Sequence, residues 1–443
     1  MAETNQARLQ TLLPALSLGF TTAAFIIAKT GRDALFFQGG GGLLQLPLIY
    51  INIGVATLPL ALVFVKAMKV WGARPARAGV MLLAAVVMAA AAPFLQPGDN
   101  TLLLAVFMFI PAIFALIFAS QWLLATDIFE KTDKRKAARA FSKIGAGTLA
   151  GGMVGGLISK GVAPYLNAKW LIFLGAVIIL GVVVLVQHIH NRFPTHIEPK
   201  KDDAEMKAGF LASLTNTYAL TLVFISMTGA LAGLLIDFQF YAAAAGANMG
   251  ARGNTNFFAN FYILLNFSSL LLQLFVTPRI QDRVGLRGGL MVLPIALIGG
   301  ATFATAAATA LGRSVLRVTE GGLRSSIHRS IWEQAFISVD SKDRSKVKIA
   351  VDGIAARIAE ALGAVAILVW LKKAAPDGVI PMPLDTNWMG WATLATVAVW
   401  LVITHNLQVK KDRDAIKTAP PEIECERFPD QCPCTTELGK GIA

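Results

Sequence analysis

Arg313, Arg317, Glu320, Arg324 and His328 recur at steps of 4, 3, 4 and 4 inside an apolar stretch of the chain. At about 100° per residue such spacing places all five in one narrow stripe of a helix, while Leu316, Val318 and Leu323 take other faces. Facing hydrocarbon, the stripe would be prohibitive, so it must line water, a ligand or an opposing charged helix. Guanidinium forks hold phosphate or carboxylate oxygens bidentately, which makes recognition of an anion one possible chemistry. The other is a gate of ion pairs with Asp237, Asp352 or Glu360. Gating and binding can share residues.

A second set lies near the N-terminus. Lys29 and Arg32 are three residues apart and Lys29 and Asp33 four apart, so each pair shares a helix face. One reading is a cationic pair for phosphate or carboxylate, with Asp33 holding its geometry. The other is an interfacial salt bridge with Lys29 and Arg32 extending outward. Asp237 sits among apolar residues as a proton-linked group, a substrate contact or the neutraliser of an Arg. Arg357 and Glu360, one turn apart, read first as a structural pair and second as part of a gate.

These residues need helices that cross a bilayer. The chain has 443 residues, of which 55% are hydrophobic and 15% charged, where a soluble domain averages about 45 to 50% and about 25%. Spanning a hydrocarbon core takes about 20 apolar residues. Runs of that kind lie near residues 11–37, 43–66, 78–95, 101–127, 139–160, 169–189, 209–239, 255–278, 289–311, 312–336, 347–371 and 387–406. The fold class expected is therefore an all-α membrane protein of twelve transmembrane helices in two six-helix bundles. Its parts are residues 1–190, a cytoplasmic linker at 191–208, residues 209–408, and a cytoplasmic tail at 409–443.

Loop charge sets the orientation. Lys66, Lys69, Arg74 and Arg77, then Lys131 to Arg139, Arg192 to Lys207, Arg279 to Arg287 and Lys342 to Lys348 supply basic residues after every second run. The alternate loops at 38–42 and 96–100 have none. The positive-inside rule then puts both termini in the cytoplasm and the 37–43 and 241–254 loops outside. The start MAETNQARLQ lacks the pattern of a removable signal peptide, so the first run reads as a retained span. The net charge of +13 belongs to this topology and not to nucleic acid, because the basic residues form no single patch interleaved with aromatics.

The halves repeat weakly. TDKRKAARAFSKI from Thr132 aligns with KDRSKVKIAVDGI from Lys342, and GRDALFF aligns with LIDFQFY, placing Asp33 over Asp237. A parallel six-plus-six repeat is the organisation of a two-lobed transporter with its site near the midplane.

The segment PRIQDRVGLRGG carries Asp282, Arg283, Gly285 and Arg287. It resembles the Gly-x-x-x-Asp-Arg-x-Gly-x-Arg loop of the major facilitator superfamily, with Pro278 at the leading Gly. That resemblance implies a latch on helix ends, hence a gating role for Asp282, Arg283 and Arg287; a basic turn kept only for topology is the alternative. The first-half counterpart KVWGARPAR keeps only Gly72, Arg74 and Arg77.

Longer segments resemble the non-mitochondrial ATP/ADP translocases and their bacterial relatives. They are KTGRDALFFQGGGGLLQLP from Lys29, DIFEKTDKRKAARAFSKIGAGTLAGGMVGG from Asp127, LLIDFQFY from Leu234, EGGLRSSIHRSIWEQAF from Glu320 and KVKIAVDGIAARIAEALGA from Lys346. The family's Lys after its Arg-Asp pair is absent, since Ala34 and Leu35 follow here. The resemblance implies a secondary transporter in a bacterial inner membrane, moving an anionic, phosphorylated solute by exchange or proton coupling. The competing expectation is a transporter-derived scaffold or accessory subunit of a larger membrane complex. The expected substrate-binding set is Lys29, Arg32, Asp33, Asp237, Arg317, Glu320 and Arg324; Arg357 and Glu360 join the gate. Expected partners are the anionic solute and the lipid bilayer, with a membrane-complex partner under the second reading.

Gly147, Gly151 and Gly155, with Gly152 and Gly156, form a small-residue seam suited to close helix packing, and to sliding between lobes. Gly145, Gly147 and Ala150 also match a dinucleotide fingerprint, but no strand precedes them, so no cofactor is expected. Cys425, Cys432 and Cys434 lack a fourth ligand and read as part of a solvated tail, not a metal site. No catalytic constellation is present, so an enzyme is not expected.

Overall fold

The computed structural model describes residues 2–97, 101–129, 134–193, 217–247, 249–307, 309–336, 339, 347, 349–375, 377 and 384–407. These are helical throughout their ordered elements, with no strand among them. The first half contains α1 (Ala2–Phe36), a 3₁₀ stretch at Gln38–Leu44, α2 (Leu46–Trp71), α3 (Ala73–Ala91), α4 (Thr101–Phe129), α5 (Lys134–Val162) and α6 (Ala168–Arg192). The second contains α7 (Thr217–Gly246), α8 (Gly250–Leu271), α9 (Thr277–Ala307), α10 (Ala310–Leu323), α11 (Ala356–Ala374) and α12 (Asn387–His405). Three π-helical stretches adjoin them: Leu272–Val276 joins α8 to α9, Arg324–His328 carries α10 on into Arg329–Ala335, and Ile349–Ala355 leads into α11.

Among the described residues nine helices are long and apolar enough to cross a membrane. The other three are α5, rich in glycine, α10 with its charged stripe, and α11, which carries Arg357, Glu360, Lys372 and Lys373. Arg357 and Glu360 line a cavity together with the α10 charges Arg317 and Glu320, whereas Lys372 and Lys373 are exposed in the last turn of α11.

Turn chemistry explains the breaks. Gly72 (φ 86°) separates α2 from α3, and Gly285 (φ 68°) kinks α9 at the same point of the second half. A side chain would be strained at either. The segment PRIQDRVGLRGG is therefore helix with one kinked residue, and not the open loop read from sequence. The expected boundary at 311/312 moves to Thr309, whose hydroxyl accepts a hydrogen bond from the Gly312 amide at 3.1 Å and caps α10. The expected 241–254 loop shrinks, because α7 continues to Gly246 and α8 begins at Gly250. Ala242, Ala244 and Ala245 are strong helix formers and are buried against the hydrophobic core. The linker at 194–208, residues 132–133, 342–346 and 348 of the aligned basic repeat, and the tail with its three cysteines lie outside the described residues.

Residues Met1–Leu407 form one compact unit. Within it α1 packs on α4, α5 and α6, and α7 on α10, α11 and α12. Helix pairs crossing between the halves include α5 with α8 and α2 with α11. Advancing one pair by six helices generates the other. The glycines of α5 divide between two neighbours. A Cβ on Gly147, Gly151 or Gly155 would strike backbone of α1 at Ala15, Gly19 or Ala23, whereas one on Gly152 or Gly156 would strike Asn266 or Ile263 of α8. Only the second face lies between halves.

Candidate functional site

Helices α2, α7, α10, α11 and α12 enclose a cavity of about 470 Å³. Asp237 of α7, Arg317, Glu320 and Arg324 on or following α10, and Arg357 and Glu360 of α11 all line it. The glycines of α7 make the room: a Cβ on Gly233 would come within 3.3 Å of Arg324 Nη2 and 3.5 Å of Glu320 Oε1. Two of the π stretches border the same space, contributing Arg324, His328 and Asp352. Such widened turns interrupt a helix and are frequent at functional sites.

The charges are mutually held. Arg317 Nε lies 2.8 Å from Asp237 Oδ1, and its Nη1 donates to Glu320. Arg324 donates to the other oxygen of Glu320, and to the Gly229 carbonyl at 2.8 Å. Arg357 Nη1 meets Glu360 Oε2 at 2.6 Å. The Trp332 indole donates to Asp352 at 2.8 Å, and Arg329 pairs with Glu333 at 3.1 Å. Formally the lining is balanced, with Arg317, Arg324, Arg329 and Arg357 against Asp237, Glu320, Asp352 and Glu360. Exposure is not balanced. The side chains of Arg324 and Arg357 are 37% and 46% exposed, while that of Glu320 is 2% and that of Asp237 19%. The most buried carboxylate thus stands behind the guanidiniums.

Arg32 and Asp33 lie elsewhere. Both are buried and neither lines the cavity. Arg32 spends its Nε and Nη2 on Asp33 Oδ1 at 2.8 and 2.5 Å and its Nη1 on the Phe107 carbonyl at 3.2 Å, with its plane over the Phe107 ring. All three of its nitrogens are engaged, and at 3% exposure it is closed off from the cavity. The shared helix face of Lys29 and Asp33 does not bring them into an ion pair: among the described residues Lys29 has no carboxylate partner, and its Nζ sits 4.8 Å from the Tyr262 ring. Arg313 is likewise diverted, donating to Gln239 and Asn387. Arg283 is exposed and Arg287 half-buried, both away from the cavity, and the Asp282 side chain is outside what is described.

Sequence reasoning passed over the tyrosines. Tyr50 donates to Asp237 Oδ2 at 2.9 Å, and Tyr241 and Tyr262 to Asp33 Oδ2 at 3.1 and 2.5 Å. The signal was available: the chain has 26 Phe and only 5 Tyr, so a hydroxyl kept inside a span calls for a partner. Near these tyrosines Phe37 stacks on Tyr241 with centroids 4.4 Å apart, amid Phe36, Phe107, Phe240 and Phe258. This aromatic cluster fills the space between the halves at the end where α1 and α7 finish.

The fold is similar to that of membrane transporters of known structure. The POT family transporter PepTSo superposes with a TM-score of 0.66 at 11% identity, covering 90% of this chain and 99% of that one. A point mutant of the nucleoside transporter NupG gives 0.66 at 12%, covering 91% and 100%. A POT family transporter in complex with 5-aminolevulinic acid gives 0.62 at 13%, covering 89% and 96%. No family model and no curated protein matches the chain by sequence.

Proposed function

We propose that the chain is a secondary-active transporter whose cavity takes up an anionic solute, moved by exchange or proton coupling. The observation that carries the reading is the unequal exposure of the paired charges. Arg324 and Arg357 offer guanidinium faces to the cavity; Glu320, almost fully enclosed, backs Arg324, while Arg357 is paired with the less exposed Glu360. Bidentate donors in a site of reduced dielectric favour oxyanions such as carboxylate or phosphate. The likeness of the quoted segments to nucleotide translocases supports a phosphorylated solute, and the transporters of the same fold support transport over a scaffold. Arg32 and Asp33 leave the binding set in this reading, and Arg329, Arg357 and Glu360 enter it. Loop charge supports cytoplasmic termini.

Thermal unfolding of the purified protein with nucleotides, inorganic phosphate, dicarboxylates, zwitterions and neutral sugars tests the assignment. A ligand at 100 times its Kd stabilises the native state by about 2.7 kcal/mol. An anion should raise the midpoint and then drive counterflow in proteoliposomes. Stabilisation by zwitterions or sugars alone defeats the anion reading, and no ligand response with no counterflow favours the scaffold.

A further inference from the structure

The bonds to Asp237 and Asp33 form a crossed pair. Tyr50 of α2 reaches from the first half to Asp237 of α7 in the second; Tyr262 of α8 reaches from the second half to Asp33 of α1 in the first. Advancing α1 and α2 by six helices gives α7 and α8, so each bond is the counterpart of the other. One helical turn beyond the aspartates, Phe37 and Tyr241 are also counterparts, and they stack on one another. Each aspartate is held by an Arg of its own half, Arg32 or Arg317. Whatever separates the halves at this end must break both of these bonds and the one that Tyr241 of α7 makes to Asp33.

The two bonds differ in what else reaches them. Asp33 is fully enclosed, and Arg32 is buried with all three of its nitrogens engaged. Asp237 lines the cavity and shares Arg317 with Glu320. A solute that draws Arg317 towards itself therefore changes what Asp237 offers Tyr50 and leaves Asp33 untouched. We propose that Tyr50 and Tyr262 are paired positioning residues that hold the two halves shut at the α1 and α7 ends, and that only the Tyr50 bond is coupled to the cavity, through Arg317. The inference stands without the identity or charge of the solute.

The test uses full-length protein in nanodiscs with Cys425, Cys432 and Cys434 replaced by Ser. Ala245→Cys serves as reporter, since Ala245 is 4% exposed within the closed end. Its rate of reaction with a water-soluble maleimide measures opening there. Tyr50→Phe and Tyr262→Phe each remove one hydroxyl bonded to a carboxylate and should raise the rate about tenfold. Tyr218→Phe removes a 2.8 Å bond to the Ala335 carbonyl within the second half and should leave it unchanged. In an Arg317→Gln background, Tyr50→Phe should add less than about twofold, while Tyr262→Phe keeps its full effect, because only the first shares a network with Arg317. Should Arg317→Gln fail to insert, Arg317→Lys runs the same cycle, a point charge being unable to serve Asp237 and Glu320 together. Unchanged labelling in both single variants overturns the closure. Equal coupling, or none, of the two tyrosines to Arg317 overturns the link to the cavity.

Discussion

Replacing Glu320 with Gln separates the two things that this carboxylate does. Its oxygens are divided between Arg317 and Arg324, and its side chain is 2% exposed. Removing one member of a buried pair costs about 3 to 5 kcal/mol, because the partner charge is left uncompensated. Here the cost belongs at the low end, about 3 kcal/mol. Arg317 retains Asp237 at 2.8 Å, and only Arg324 falls back on a neutral acceptor, the Gly229 carbonyl at 2.8 Å. The same deletion removes a negative charge from behind the site. A unit charge about 5 Å away at an effective dielectric near 20 contributes about 3 kcal/mol before screening. With water and neighbouring charges discounting most of that, anion affinity should rise about tenfold. Thermal unfolding and anion titration of Glu320→Gln beside Glu333→Gln read the two effects apart. Glu333 pairs with Arg329, which is 67% exposed, so its variant should leave the unfolding midpoint unchanged and raise anion affinity less than Glu320→Gln does. If Glu320→Gln remains folded and binds anions more weakly than the parent, Glu320 is itself a ligand contact for a cationic group and the anion site is wrong.

Arg32→Lys should lower stability by about 2 to 3 kcal/mol without changing ligand affinity in the folded fraction. A Lys cannot reproduce two bonds to Asp33, one to the Phe107 carbonyl and the stack on the Phe107 ring; a specific loss of affinity would return Arg32 to the binding set. Arg324→Lys should reduce anion affinity about tenfold at unchanged net charge, since the cavity loses a fork, and equal affinity would remove Arg324 from the site. Gly151→Ala should cost more than about 2 kcal/mol, because its Cβ would lie 2.0 Å from the Gly19 carbonyl oxygen, whereas Gly145→Ala meets nothing within 4 Å and should be neutral or stabilising by about 1 kcal/mol. Comparing monodisperse yield and unfolding midpoint of the two variants decides it.

Apolar run length and loop charge made the helical membrane fold legible, because the bilayer imposes both on any chain that crosses it. The stripe of α10 was legible for the same reason: hydrocarbon excludes charges, so five ionisable positions on one face must turn inward. What sequence could not resolve was which inward charges share a cavity. Lys29, Arg32 and Asp33 satisfy the same spacing rule as Arg317, Glu320 and Arg324, and only tertiary packing of Phe107, Tyr241 and Tyr262 encloses Arg32 and Asp33. The helix ends at Gly246 and Gly250 were missed because YAAAAGANMG reads as small and polar, while burial of its alanines keeps it helical. The π turn at Arg324–His328 has no spacing signature at all.

The contact of α5 with α1 has a consequence for how this gene can vary. A single-base change in any glycine codon that alters the amino acid introduces a residue with a Cβ. At Gly151 that atom would overlap a peptide group of α1, which no side-chain rearrangement can move aside. The position has no one-step escape. Gly145 and Gly161, six and ten residues away along the same helix, would place the new atom in open space and are free to drift. Selection on α5 is therefore set residue by residue by the backbone of its neighbour, and a glycine count along the helix conceals which positions are locked.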